Sequence, residues 1–143
     1  MIAIVLDTTD LSELATELAG AGLPTSDLDE PDRHFFRFED DAGIAGYGGI
    51  EGNGPDRLLR SLVVRPDRRG GGLGTAILGG IEHAATDQGV ASLYLLTTTA
   101  EPFFRQHGYV TANRADAPEA IIGSAEFRSL CPASAAFLSK RIA

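Results

Sequence analysis

Lysine is almost missing from this chain of 143 residues: Lys140 stands alone against eleven arginines. Cysteine occurs once, at position 131, which excludes an internal disulfide, and the three histidines are too scattered for a familiar zinc spacing. No apolar run approaches the roughly 20 residues that span a bilayer. The longest near the start is Ile2 to Leu6, and neither a basic flank nor a cleavage site marks a signal peptide. A soluble cytoplasmic protein with no structural metal and no membrane contact is therefore expected. Positive charge is also scarce, with twelve basic against twenty acidic residues and a formal net charge of -8. That is the wrong sign for neutralising phosphates, so nucleic acid is not an expected partner. Acidic excess with little lysine resembles proteins of salt-loving organisms, although a GC-rich genome also depletes lysine. Either origin bears on habitat rather than mechanism. Internal repeats and low-complexity segments are absent too.

What is present is an ordinary globular composition, 43% hydrophobic and 22% charged, over a length typical of one domain, so one domain over residues 1–143 is expected. Met1 to Leu6 reads as an opening strand, and any of Asp7, Thr8, Thr9 and Asp10 can cap the helix after it. Leu11, Leu14, Ala15, Leu18 and Ala19 recur at helical spacing, with Gly20 and Gly22 as stops. Leu23 to Pro31, holding Asp27, Asp29 and Glu30, reads as a loop or short helix near the surface. Strands are predicted over His34 to Glu39, Ile44 to Glu51 and Arg57 to Val64, joined by turns at Asp40 to Gly43 and Gly52 to Pro55. Beyond a turn rich in glycine and arginine, Leu73, Ile77, Ile81, Ala84 and Ala85 share one helical face as far as Gly89. A strand over Ala91 to Leu96, a short helix over Ala100 to His107 and a last strand over Ser134 to Arg141 complete the pattern. This order places one βαβ crossover inside an otherwise antiparallel sheet, an α/β fold with a mixed sheet.

The turn between strand and helix reads Arg68-Arg69-Gly70-Gly71-Gly72-Leu73-Gly74-Thr75. There, backbone N–H groups without intrahelical partners meet the positive end of the helix dipole, which makes a cradle for phosphate. Glycines let the backbone approach the anion and arginine adds charge. Glycines alone are equally compatible with a plain chain reversal. A nucleotide-hydrolysing loop would need lysine and then serine or threonine after its second glycine, whereas Gly74 is followed five residues later by Gly79 and Gly80. The dinucleotide fingerprint fails as well, because Gly70 and Gly72 lead to Thr75, and Gly72 and Gly74 lead to Ile77.

The loop resembles the pyrophosphate loop of the GCN5-related N-acetyltransferases (GNAT), in which Arg or Gln, two residues, Gly, one residue, and Gly or Ala follow in order. Arg69, Gly72 and Gly74 fill that pattern. Leu62-Val63-Val64-Arg65-Pro66 resembles the family's strand and proline before the loop, and Ala100, Phe103, Gly108 and Tyr109 resemble its later alanine, aromatic and glycine positions. Together the motifs cover Leu58 to Tyr109. Leu96-Thr97-Thr98-Thr99-Ala100 with Phe103, Phe104 and Gly108, and the tail Ser129 to Ser134, are most similar to the small acetyltransferases of arsenic-resistance operons and to the acetyltransferase part of N-acetylglutamate synthase.

The resemblance implies a mostly antiparallel sheet with helices on both faces and acetyl-CoA as co-substrate without metal. It further implies that the strand holding Leu62, Val63 and Val64 parts from the strand over Ala91 to Leu96, so that acetyl-CoA lies in the gap with its pyrophosphate on Arg69, Gly70, Gly71, Gly72, Leu73, Gly74 and Thr75. Many relatives carry a tyrosine as general acid where this chain has Phe104, which donates no proton. Water, or a hydroxyl from Thr97, Thr98 or Thr99, can substitute, because a thiol of pKa near 8.5 leaves readily; each threonine also suits a plain strand end. Glu51 is the candidate base, or else a solvated acid beside Gly52. Arg60 and Ser61 are candidates for the acceptor, with Arg60 forking onto a substrate carboxylate, or else forming a surface charge pair. His83 and His107 read as solvent-facing or capping residues, Tyr94, Phe103 and Phe104 as packing residues, with Phe104 also a candidate to border the cofactor, and Cys131 as a small buried residue, since arsenite capture wants several thiolates. The expected activity is acetylation of a small amine, an amino acid or an amino-acid-like toxin, with room for a homodimer. A silent acetyl-CoA or CoA sensor and a protein N-acetyltransferase, the latter served by the acidic stretch Asp27 to Asp32, are the alternatives.

Overall fold

The computed structural model describes all of residues 1–143. Seven strands, β1 (Ile2–Val5), β2 (Arg33–Asp40), β3 (Gly43–Glu51), β4 (Asp56–Val64), β5 (Ser92–Thr97), β6 (Val110–Thr111) and β7 (Ala136–Arg141), form one sheet in the order β1-β2-β3-β4-β5-β7-β6. Only β4 and β5 run parallel; every other neighbouring pair is antiparallel. The helices are α1 (Leu11–Gly20), α2 (Leu73–Asp87), α3 (Glu101–Gln106) and α4 (Glu119–Ile122). Asp7 is the residue that caps. Its carboxylate accepts the Thr9 N–H at 2.9 Å while Asp10 accepts the Asp7 N–H at 3.0 Å, a reciprocal cap on the short turn that leads into α1.

Both faces of the sheet are covered. The larger core sets Ile77, Leu78, Ile81 and Ala85 of α2 against Phe36, Phe38, Ala45, Ile50, Leu59, Leu93 and Leu95, and Phe104 of α3 joins the same layer. On the opposite face, Leu14 and Leu18 of α1 pack on Phe35, Tyr47 and Val63. Ile121 of α4 packs separately on Leu58 and Phe137. Between these two smaller clusters the inner face carries charged side chains instead of apolar ones, and there the candidate site forms.

Predicted and observed strands differ at their ends by one or two residues, apart from a few departures with physical causes. The last strand begins at Ala136 rather than Ser134, because the Ala135 N–H turns back to the Pro132 carbonyl. The two-residue β6, the single-turn α4 and a π-helical turn over Glu126–Leu130 were not predicted, being too short for a periodic signal. The segment Leu23 to Pro31 is not a surface loop throughout, since Asp27 and Leu28 are buried. No helix is long and apolar enough to cross a membrane.

Candidate functional site

β4 pairs with β5 at Asp56–Ser92, Arg57–Leu93 and Leu58–Tyr94 and nowhere further. From Leu59 to Val64 the edge of β4 toward β5 has no ladder partner, which leaves peptide groups available to a ligand. A bulge lies in this free stretch. Gly49 pairs with Arg60 and Tyr47 with Val63, so Ser61 and Leu62 together oppose Gly48. Ser61 has φ +61°, a left-handed conformation that costs a non-glycine residue about 1 kcal/mol or more and recurs at functional sites. The extra residue keeps Leu58, Arg60 and Val63 on one face while Leu59, Leu62 and Val64 pack toward α2.

Immediately after β4 comes the glycine loop. Gly70 (φ +86°) and Gly72 (φ +74°) both adopt the left-handed conformation, and open space lies where Cβ atoms at Gly70, Gly71 and Gly72 would project. Gly72 occupies the N-cap of α2 without any side-chain cap, so the first N–H groups of that helix point outward unsatisfied. These features fit a pyrophosphate. Arg68 is engaged, donating to the Ile44 carbonyl at 3.2 Å and pairing with Asp40, which leaves the exposed Arg69 as the uncommitted cation of the loop. Gly74 serves differently: a Cβ there would meet the Phe103 ring at 3.4 Å, so it permits close packing of α2 on α3. Thr75 Oγ1 lies 3.1 Å from His107 Nε2, and His107 Nδ1 lies 2.8 Å from the Phe103 carbonyl. Nδ1 must donate to that carbonyl, so in the neutral ring Nε2 accepts from Thr75.

Where β4 and β5 part, two cavities run together. The inner one, about 70 Å³, is bordered by Arg60, Ser61, Leu62, Thr97, Phe104 and Glu126. The outer one, about 250 Å³, continues along Thr97, Thr98 and Thr99, and Leu23, Pro24, Leu96, Thr97 and Cys131 border both. Thr97 Oγ1 accepts the Ala100 N–H at 3.0 Å, so its own hydrogen is free to point elsewhere. A third cavity, about 500 Å³, is lined by Glu30, Arg33, Glu51 and Arg128 among others.

A five-residue charge cluster separates the inner cavity from the third. Arg60, whose side chain is fully buried, holds both oxygens of Asp27 through Nη1 and Nη2 at 2.7 and 2.8 Å and reaches Glu51 at 2.9 Å. Arg33 joins Asp27 at 2.8 Å and lies 3.5 Å from Glu51. Burial alone would raise the Asp27 carboxyl, but the hydrogen bonds and charges of Arg60 and Arg33 outweigh it and hold Asp27 at about 2. Glu126 differs. Its Oε2 is 3.1 Å from Arg60 Nε, yet that N–H is donated to Ser61 Oγ at 3.2 Å, and the contact to Glu126 is one of charge alone. Its other oxygen meets only the Cys131 thiol at 3.9 Å. Burial therefore pushes Glu126 up to about 7; the Arg60 charge opposes this, and Asp27 and Glu51 add to it. Burial likewise pushes the Cys131 thiol up to about 11.

A parted β4 and β5, a bulge, and a glycine cradle opening α2 form one constellation, and a family profile described as the acetyltransferase (GNAT) domain matches residues 31–111. The chain belongs to the GNAT acetyltransferase family. An amino-acid acetyltransferase of Ectopseudomonas mendocina (strain ymp) is 43% identical over 51 residues, 36% of this chain and 12% of that protein. Among solved structures, the N-acetylglutamate synthase of Neisseria gonorrhoeae, complexed with coenzyme A and L-arginine, superposes with a TM-score of 0.78 at 20% identity. That match covers 98% of this chain and 32% of the synthase. A GNAT acetyltransferase from Staphylococcus aureus Mu50 also gives 0.78, at 14% identity and 99% coverage of both chains. This GNAT chain thus spans a third or less of the amino-acid-acetylating relatives it matches, while it corresponds in extent to the small acetyltransferase.

The structure gathers Arg60, Ser61, Leu62, Thr97 and Phe104 around the inner cavity and sets Arg69 to Thr75 at the start of α2. Three expectations change. Glu51 is not a solvated acid but is buried between Arg60 and Arg33, bordering the third cavity rather than the parting of the strands. Arg60 is not at the surface, and its fork is already filled by Asp27. The acidic stretch from Asp27 is partly interior, with Asp27 itself serving that fork. Glu126 was missed. Its only sequence signal is an acid three residues before the Ser129 to Ser134 tail, which reveals nothing until the fold turns it toward Arg60.

Proposed function

We propose that this acetyltransferase moves the acetyl group of acetyl-CoA onto the amine of a small molecule that carries a carboxylate, an amino acid or an amino-acid-like toxin. The observation that carries the reading is the pairing of two spaces. A cleft opens at the free edge of β4, and a separate 500 Å³ cavity beyond the charge cluster is lined by Arg33 and Arg128. The amino-acid acetyltransferase of E. mendocina supports the same acceptor class.

In this reading the pyrophosphate rests on the backbone of Arg69 to Thr75, and the pantetheine follows the unpaired peptide groups near Val63 and Val64. The acceptor carboxylate is held by Arg128, because Arg60 can fork onto it only by giving up Asp27, and Arg33 already donates to Asp27 and to the Pro31 carbonyl. As the amine attacks, the oxyanion is met by backbone N–H groups of β4. The sulfur leaves as a thiolate, with the free hydrogen of Thr97 as a hydroxyl donor on the cavity wall, while Phe104 shields the cleft without donating.

Phe104 also favours a second reading, a CoA-binding sensor without turnover. One assay separates the two: purified chain, acetyl-CoA, the proteinogenic amino acids and the corresponding decarboxylated amines, with free CoA followed by a thiol reagent. Carboxylated acceptors should lead by roughly 10- to 150-fold in kcat/KM, the worth of a charge-assisted contact of about 1.5–3 kcal/mol. Equal rates with decarboxylated amines remove the carboxylate from the proposal. Acetyl-CoA binding with no CoA release from any amine selects the sensor.

A further inference from the structure

Counting charge across the interior cluster leaves it one cation short. Asp27, Glu51 and Glu126 supply three carboxylates, and Arg60 and Arg33 two guanidiniums. Buried charges persist only when paired and hydrogen-bonded, and the carboxylate that receives no hydrogen bond from a guanidinium is identifiable. Asp27 accepts from both arginines and Glu51 from Arg60. Glu126 Oε2 accepts no hydrogen bond although a guanidinium nitrogen is 3.1 Å away, because Ser61 takes that proton.

Glu126 also borders the inner cavity, together with Ser61 and Leu62 of the bulge and Thr97 across the gap. Its neighbours Ala125, Arg128 and Ser129 line the third cavity on the far side of the cluster. Within the π-helical turn Glu126–Leu130, Glu126 borders the inner cavity while Arg128 and Ser129 border the third; such turns recur at functional sites. An amine entering the inner cavity meets Glu126 on its wall.

We propose that Glu126 binds the acceptor as its ammonium ion, the missing third cation of the cluster, and then acts as the general base of the transfer. This rests on the amine-acceptor reading above. The ammonium gives one proton to the Glu126 carboxylate, and the nitrogen lone pair forms the new C–N bond to the thioester carbon. The C–S bond breaks with its electron pair on sulfur, the second nitrogen proton passes to that thiolate to give CoA thiol, and Glu126 returns its proton to solvent. One ammonium and one thioester thus give one amide, one thiol and one released proton. Glu51 and Asp27, with oxygens committed to guanidiniums, orient Arg60 and position the site. Cys131 faces Glu126 from the following loop, with Arg114 further out, but its thiol titrates far above the carboxyl.

The test is the pH profile of kcat/KM with the panel amine that releases CoA fastest, for wild type, Glu126→Gln and Glu126→Asp. Wild type should rise through a limb near pH 7 and then stay level up to the amine's own pKa. Glu126→Gln, near in shape to the protonated residue, should keep acetyl-CoA affinity within a few-fold and lose about 10²- to 10⁴-fold in kcat, with the limb near 7 gone. Glu126→Asp should restore part of the rate and a displaced limb. A wild-type profile that climbs only with the amine's pKa, or a limb near 7 that survives in Glu126→Gln, overturns the proposal. Should Glu126→Gln fail to fold, the wild-type and Glu126→Asp profiles decide. If wild type turns over no amine, the acceptor reading falls first, a result distinguishable from activity that ignores Glu126.

Discussion

Arg60 shows how one residue can be recognised from sequence and still be given the wrong task. Its place in the strand before the glycine loop was legible, and so was the chemistry of its fork, though it lies in the middle of β4 rather than at its start. The sequence could not show that Asp27, 33 positions away, folds inward to fill that fork. The two roles predict different damage. A substrate anchor truncated to alanine would raise acceptor KM and leave the melting curve alone. A buried cation serving three carboxylates would instead leave them facing one another, at a cost of about 3–5 kcal/mol. Arg60→Ala should therefore lower the urea midpoint sharply at pH 7, and Asp27→Asn should also destabilise by removing the bidentate acceptor. A melting curve unchanged by Arg60→Ala, with only acceptor KM raised, would return Arg60 to the anchor role. The shape of the glycine loop was legible for the opposite reason. It rests on local backbone conformation at Gly70 and Gly72 and on the helix terminus beside them, both written in consecutive residues.

At the scale of elements, β3 shows why composition misleads about glycine. Gly46, Gly48 and Gly49 lie in a strand, where glycine is ordinarily a weakness, yet α2 crosses directly over two of them. A Cβ at Gly46 would run into the Val63 carbonyl oxygen and, at 2.8 Å, Ile77 Cδ1, and one at Gly48 into the Ile81 side chain. Backbone cannot yield as a side-chain end can, so Gly46→Ala should cost about 1–3 kcal/mol and loosen α2 over the cleft. Gly79 is the contrast within α2 itself: it is exposed, helical and has nothing within 4 Å of a Cβ. Gly79→Ala should stabilise by about 0.5–1 kcal/mol, or raise Tm by a few degrees. Thermal melts of the two variants check both signs, and equal shifts in one direction would refute the packing account. The long helices and strands were readable because each repeats its period several times. β6 with two residues and α4 with four offer about one period each, with no repeat to recognise, and they are placed by β7 and by the Leu58–Phe137 surface rather than by their own pattern.

For the molecule as a whole, the charge cluster makes stability depend on pH in two opposed ways. Asp27 is held at about 2, below its unfolded value near 3.8, so its contribution is present above pH 4 and is lost as pH falls toward 2. Glu126 is raised to about 7 from an unfolded value near 4.5, so the folded state binds its proton more tightly. That contribution is complete below about pH 4.5 and is lost as pH rises through 7, and a shift of this size corresponds to something on the order of 3 kcal/mol. The net charge of -8 works in the same direction as Glu126, since repulsion among surface carboxylates grows above the isoelectric point near 4.7. Stability should therefore peak on the acid side of neutral. Salt separates the two causes: at about 1 M the Debye length is near 3 Å, which screens surface repulsion but leaves a buried carboxyl almost untouched. In high salt, wild type should still lose stability between pH 5 and 8. Glu126→Gln, which cannot ionise, should stay nearly level over that range and match wild type near pH 5, where both side chains are neutral. Urea unfolding of the two proteins at pH 5, 6, 7 and 8 measures the difference. Parallel curves would mean that Glu126 is ionised throughout, and the cluster would then hold its third negative charge without any substrate cation to balance it.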